Sequence, residues 1–132
     1  MAAGTILVVE DDADIRGALC AILQEEGYAV VGARDGSEAL MRLRSGEPPS
    51  LILLDLMMPV MNGSEFRSAQ LRDPRLAAIP VVLLTADSRF DEVGRALGTE
   101  AALSKPFELD ALLLAVERAS AGPDPTALAK AS

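Results

Sequence analysis

Short apolar runs alternate along this chain with longer stretches in which apolar residues recur every third or fourth position. The runs fall at 6–9, 29–31, 51–54, 81–84 and 101–103 and are rich in Val, Ile, Leu or Ala. Strands covered on both faces read this way, because neither side of the strand meets water. The stretches between them predict helices over 14–26, 37–44, 64–72, 89–97 and 107–119. In the first of these Ile15, Leu19, Ile22 and Leu23 share a face, and in the last Leu109, Leu112, Leu113 and Val116 do. Gly27 and Gly98 sit where helix C-caps belong, and Glu47-Pro48-Pro49 breaks the chain ahead of the third strand. Five strand–helix units in succession predict a parallel α/β sandwich with right-handed crossovers. No internal repeat is present, and 121–132 mixes Gly, Pro, Ala and Ser without periodicity, as a tail or truncated linker does.

An open parallel sheet takes its ligand beyond the carboxyl ends of its strands, so the residues there are the candidates for chemistry. Glu10, Asp11 and Asp12 follow the first strand, Asp55 the third, Thr85 the fourth and Lys105 the fifth. The fold therefore predicts carboxylates, a hydroxyl and an ammonium converging from four separate segments. Composition narrows what they do. The chain has no histidine, which excludes an imidazole base, a histidine-ligated zinc and a phosphohistidine. A lone cysteine, Cys20, excludes an internal disulfide framework. With 132 residues and a formal charge of −8, one acidic domain is expected, with no direct binding of nucleic acid. No apolar stretch approaches the ~20 residues that span a bilayer, and the start Met-Ala-Ala-Gly-Thr has no basic n-region. No membrane partner and a cytoplasmic location are the expectation.

Crowded carboxylates stay ionised only when a cation sits among them, and oxygen donors without His or Cys select Mg²⁺, Mn²⁺ or Ca²⁺. Magnesium commonly shares its shell with a phosphate. A carboxylate is itself a competent nucleophile towards phosphorus, and the charge that develops on the equatorial oxygens is offset by a metal, a lysine and a hydroxyl donor. All these parts are present here. The phosphoryl donor must come from another molecule.

The segments ILVVEDDADIR, LILLDLMMPVMNG, PVVLLTA and LSKPF closely resemble the receiver domains of two-component response regulators, in register over 5–120. Residues 1–4 are then an N-terminal extension. The resemblance implies a doubly wound (βα)5 parallel sheet of flavodoxin-like type, in the order 2-1-3-4-5. It implies that Asp55 is the phosphoacceptor and that Mg²⁺ is held by Asp11, Asp55 and the Met57 backbone carbonyl, with Glu10 acting through water. It further implies that Thr85 hydrogen-bonds the phosphoryl group, that Lys105 pairs with it, and that the Lys105–Pro106 bond is cis. The implied partners are a sensor histidine kinase or a histidine phosphotransfer protein, and a homodimer mate or output partner on the face formed by 89–118.

The remaining residues have plainer readings. Asp12 and Asp14 suit the cap and first turn of the first helix. Pro59 and Gly63 suit a turn, with Gly63 supplying positive φ or close approach. The aspartyl-phosphate phosphatases of the haloacid dehalogenase type need a second acid two residues after the nucleophile, and Asp55-Leu56-Met57 has none. A nucleotide carrier wants a phosphate loop after the first strand, where Glu10-Asp11-Asp12 would repel the ligand. The alternative that stands is an interaction module independent of phosphorylation. The pattern departs from the family in two places. Ala102 occupies the position, three before Lys105, where the family usually carries Tyr or Phe, and the segment from Thr85 to Gly98 is short. An exposed Leu114, off the apolar stripe of the last helix, is a candidate contact residue.

Overall fold

The computed structural model describes residues 4–121, a five-stranded parallel sheet flanked by five helices. In chain order these are β1 (Thr5–Val9), α1 (Ala13–Glu25), β2 (Ala29–Ala33), α2 (Gly36–Ser45) and β3 (Leu51–Asp55). There follow α3 (Gly63–Arg72), β4 (Val81–Thr85), α4 (Phe90–Leu97), β5 (Ala101–Ser104) and α5 (Leu109–Ala121). The strand order is β2-β1-β3-β4-β5, as the resemblance implied, and every pairing is parallel. Every expected strand and helix is present, with ends shifted by a residue or two. Apart from Gly4 and Ala121, the expected extension 1–4 and tail 121–132 lie outside the described residues. Among the described residues no helix is long and apolar enough to cross a membrane.

Alternation along the strands divides the core in two. Leu7, Val9, Ile52, Leu54, Val81 and Leu83 point to the side of α2, α3 and α4, where Leu40, Leu43 and Phe66 meet them. Ile6, Val8, Leu51, Leu53, Val82 and Leu84 point to the side of α1 and α5, against Leu19, Leu23, Leu112 and Val116. The central strands β3 and β4 are buried along their whole length, which explains their unbroken apolar runs.

Two expectations about the helix faces fail at the same place. Ile15 and Leu109 were expected on buried stripes, yet both are exposed. Each lies in the first turn of its helix, and helices of a parallel α/β layer start at the carboxyl edge of the sheet. Side chains there lean towards the helix N-terminus and overhang the rim. Periodicity identifies the face but not where the sheet stops. Gly27 and Gly98 do take positive φ after α1 and α4, Gly98 as the left-handed C-cap. Leu114 is exposed as expected. At eight residues α4 is the shortest helix among the described residues.

Candidate phosphoryl-acceptor site

Strand register assembles the site. Val9 of β1 lies beside Leu54 of β3, so Glu10 leaves the sheet next to Asp55. Asp55 lies beside Leu84 of β4, which brings Thr85 just past it, and Thr85 lies beside Ser104 of β5, which delivers Lys105. The four sequence segments thus meet at one edge. Glu10, Asp55 and Thr85 are buried, whereas Asp11 is exposed above them.

Lys105 joins the acids. Its Nζ donates to Glu10 Oε1 at 2.6 Å and lies 3.4 Å from Asp55 Oδ1. The Lys105 backbone N–H donates to the Thr85 carbonyl at 2.7 Å, and the Lys105–Pro106 bond is cis. The Met57 N–H donates to Asp55 Oδ1 at 3.4 Å, while the Met57 side chain is exposed. Thr85 Oγ1 accepts from the Asp87 N–H at 3.1 Å, which leaves its own proton available to a ligand oxygen. Carboxylate oxygens of Glu10, Asp11 and Asp55 all lie within 4.8 Å of one another.

Electrostatics in this cluster are strained in the way a cation would relieve. Burial, then a hydrogen bond to Glu10 and its negative charge, push the Asp55 carboxyl up to about 7, with Lys105 opposing them. Burial pulls Lys105 down, yet the hydrogen bond to Glu10 and the charges of Asp55 and Glu10 outweigh it and hold its pKa above the ordinary lysine value. The one ammonium reaches two of the three clustered acids, Glu10 and Asp55. The donor set is all oxygen, so these residues fit a hard divalent cation such as Mg²⁺.

The loop from β3 to α3 is shaped around this edge. Gly63 begins α3 so close to β3 that a Cβ there would lie 2.8 Å from Leu56 Cα and 2.9 Å from the Asp55 carbonyl oxygen. Its φ is not among the positive values, so close approach is what requires glycine. The residue at positive φ is instead Val60, at 66°, an unusual conformation for a β-branched side chain. Asn62 and Glu65 close a capping box on α3, with Asn62 Oδ1 accepting from Glu65 N and Glu65 Oε1 from Asn62 N. Asp12 caps α1, accepting from Asp14 N and Ile15 N, and Asp14 lies in its first turn, so both keep the plainer role expected of them.

Two groups were not legible in the sequence. Arg16, in α1, donates from NH1 to the Glu10 carbonyl oxygen at 2.7 Å. Arg67 and Gln70 of α3 are buried, and the Arg67 guanidinium holds the carbonyls of Leu97 and Gly98 at the end of α4. Polar residues on an amphipathic helix read as solvent-facing, so neither contact had a signal.

Comparison with known proteins agrees with this geometry. The sequence profile of the response regulator receiver domain matches residues 6–117. The chain is 40% identical over 115 residues to the alkaline phosphatase synthesis transcriptional regulatory protein SphR of Synechococcus elongatus, covering 80% of this chain and 44% of that protein. It is 42% identical over 117 residues to the transcriptional regulatory protein PdtaR of Mycobacterium tuberculosis, covering 86% of this chain and 55% of PdtaR. The chain thus spans about half the length of these relatives. Among solved structures, the chemotaxis protein CheY4 of Vibrio cholerae superposes with a TM-score of 0.79 at 34% identity, covering 90% of this chain and 98% of CheY4. The receiver domain of a signal transduction histidine kinase from Syntrophus aciditrophicus gives 0.83 at 35% identity, covering 92% of this chain and 93% of that one. With a receiver profile over most of its length, the receiver strand order and an acidic cluster at the sheet edge, this chain belongs to the response regulator receiver domain family.

Proposed function

We propose that this receiver takes a phosphoryl group onto Asp55 in a Mg²⁺-dependent reaction. The observation that carries the reading is a buried carboxylate at the end of β3 with the Lys105 ammonium 3.4 Å away and two further acids within 4.8 Å. Asp11, Asp55 and the Met57 carbonyl would hold the cation, with Glu10 assisting through water. When bound, the cation offsets the charge of the incoming phosphoryl oxygens. An Asp55 carboxylate oxygen attacks phosphorus, an acyl–phosphate bond forms, and the bond from phosphorus to the donor breaks, its electron pair leaving with the donor. Lys105 neutralises one phosphoryl oxygen and the Thr85 hydroxyl donates to another.

Receiver domains of response regulators interact with histidine kinases and output domains. Here the donor would be a sensor histidine kinase or a histidine phosphotransfer protein in the cytoplasm, and the folded receiver would comprise 5–120. The output or homodimer contact would use the 89–118 face. Support for that face is a groove of about 340 Å³ lined by Ala101, Ala111, Leu114, Ala115 and Arg118. Incubation with a small acyl phosphate such as acetyl phosphate tests the chemistry. Labelling that needs Mg²⁺ and vanishes in Asp55→Asn is expected. A wild-type protein that stays unlabelled would instead support a phosphorylation-independent interaction module.

A further inference from the structure

Glu10 is held at both ends of its backbone and both oxygens of its side chain. Its N–H donates to the Ala33 carbonyl at 3.0 Å, Oε1 accepts from Lys105 and Oε2 from the Asp12 N–H at 3.3 Å. The fourth contact comes from outside the acidic edge: Arg16 NH1 to the Glu10 carbonyl oxygen, 2.7 Å. That carbonyl belongs to the peptide joining Glu10 to Asp11, so its direction sets where the Asp11 Cα and carboxylate stand. A cationic donor on a carbonyl makes a stronger hydrogen bond than a neutral one.

The path of the Arg16 side chain is prepared by the neighbouring strand. It crosses β2 at Gly32, where a Cβ would lie 3.2 Å from Arg16 Cδ and 3.4 Å from Cγ. Gly32 has an ordinary φ, so glycine there answers to space and not to backbone conformation. Among the described residues Arg16 forms no ion pair, although three acids stand at the adjacent edge. Its charge is directed at a peptide oxygen and not spent on the carboxylates.

We propose that Arg16 is a positioning residue for the cation site, fixing the Glu10–Asp11 peptide so that both carboxylates face Asp55, with Gly32 as the seat for its side chain. The proposal rests on the reading of this cluster as a Mg²⁺ site. Partners one shell removed from a metal typically contribute about ten- to a hundredfold in affinity. Mg²⁺ binding is measured by calorimetry on the wild type, Arg16→Met, Arg16→Lys and Gly32→Ala, alongside thermal unfolding without Mg²⁺ and the Mg²⁺ dependence of Asp55 labelling. Arg16→Met keeps the apolar stem on Gly32 and removes the donor. It should weaken Mg²⁺ binding about tenfold or more, raise the Mg²⁺ needed for half-maximal labelling in step, and leave the labelling rate at saturating Mg²⁺ near that of the wild type. Arg16→Lys should recover part of the affinity, and Gly32→Ala, which lifts the stem but keeps the guanidinium, should lose part. Unchanged Mg²⁺ affinity in Arg16→Met, with only a lower unfolding temperature, would overturn the positioning role. If Arg16→Met does not fold, unchanged affinity in both Arg16→Lys and Gly32→Ala overturns it. Absence of Mg²⁺ binding by the wild type would instead overturn the cation reading, and this inference with it.

Discussion

A single methyl group at Gly63 should damage both the fold and the site, because the atoms it meets cannot step aside. A Cβ there would lie 2.8 Å from Leu56 Cα, 2.9 Å from the Asp55 carbonyl oxygen and 3.3 Å from the Leu56 carbonyl oxygen, against ordinary contacts of 3.4 Å or more. All three neighbours are backbone, and the Gly63 N–H is bonded to Leu56 O at 2.9 Å, so α3 and the end of β3 must part by about half an ångström. Overpacking of this kind costs about 1–3 kcal/mol. It also shifts Asp55 relative to Lys105 Nζ, now 3.4 Å from its carboxylate, and a displacement of this order slows a positioned reaction about tenfold or more. Gly17, in α1, is the control. A Cβ there meets nothing within 4 Å, so Gly17→Ala should stabilise the protein by about 0.5–1 kcal/mol through helix propensity alone. Urea unfolding gives the stabilities, and labelling by acetyl phosphate at saturating Mg²⁺ gives the rates. The argument is refuted if Gly63→Ala unfolds at the wild-type urea concentration and is labelled at the wild-type rate.

Two further outcomes follow from the electrostatics and the buried polar network. With its carboxyl pushed up to about 7 from an unfolded value of 3.8, Asp55 favours the cation-free fold most below the unfolded value, and that margin is lost as pH rises through about 7. Because the proton must leave before a cation binds, Mg²⁺ affinity should fall about tenfold per pH unit below about pH 7; affinity that stays flat from about pH 5 to about pH 8 would mean that Lys105 already keeps Asp55 ionised. Arg67→Met should cost about 1–3 kcal/mol in urea unfolding, since it leaves the Leu97 and Gly98 carbonyls and Gln70 Oε1 without their donor. A loss under about 1 kcal/mol would show that water replaces the guanidinium there.

The sheet was legible because β3 and β4 are covered on both sides, and only an apolar run satisfies that environment. The acidic edge was legible for a related reason. Glu10, Asp55 and Lys105 interrupt apolar sequence at strand ends, and the parallel topology alone then forces them together. What escaped is what depends on distances across elements. Arg67 looked like a surface arginine of α3, yet it is buried by a contact 30 residues away with Leu97. Gln70 likewise donates to the carbonyls of Leu76 and Ile79, 3.0 Å each, closing a loop that no periodicity marks. Ile15 and Leu109 erred in the opposite direction, their spacing being correct while the sheet beneath them had ended.

The departure at position 102 shows how such distances alter the meaning of a single residue. Read alone, Ala102 is a missing ring. In the fold it is half of a matched pair, because a Cβ on Gly94 of α4 would lie 2.8 Å from Ala102 Cβ and 3.1 Å from Thr99 Oγ1. Helix α4 lies directly on β5, and it is the missing Cβ at Gly94 that leaves room for the Ala102 methyl. The two ends of that helix are held differently. Its C-terminus carries a left-handed glycine cap and the Arg67 guanidinium on its last carbonyls. Its N-cap, Arg89, makes no side-chain capping bond. Between Thr85 and that loose end runs only the 86–89 segment, tied back by the Asp87 N–H on Thr85 Oγ1 and the Arg89 N–H on Asp87 Oδ1 at 2.8 Å. The Thr85 hydroxyl is thus joined to the N-terminal end of α4 by two consecutive hydrogen bonds, through the Asp87 N–H and the Arg89 N–H.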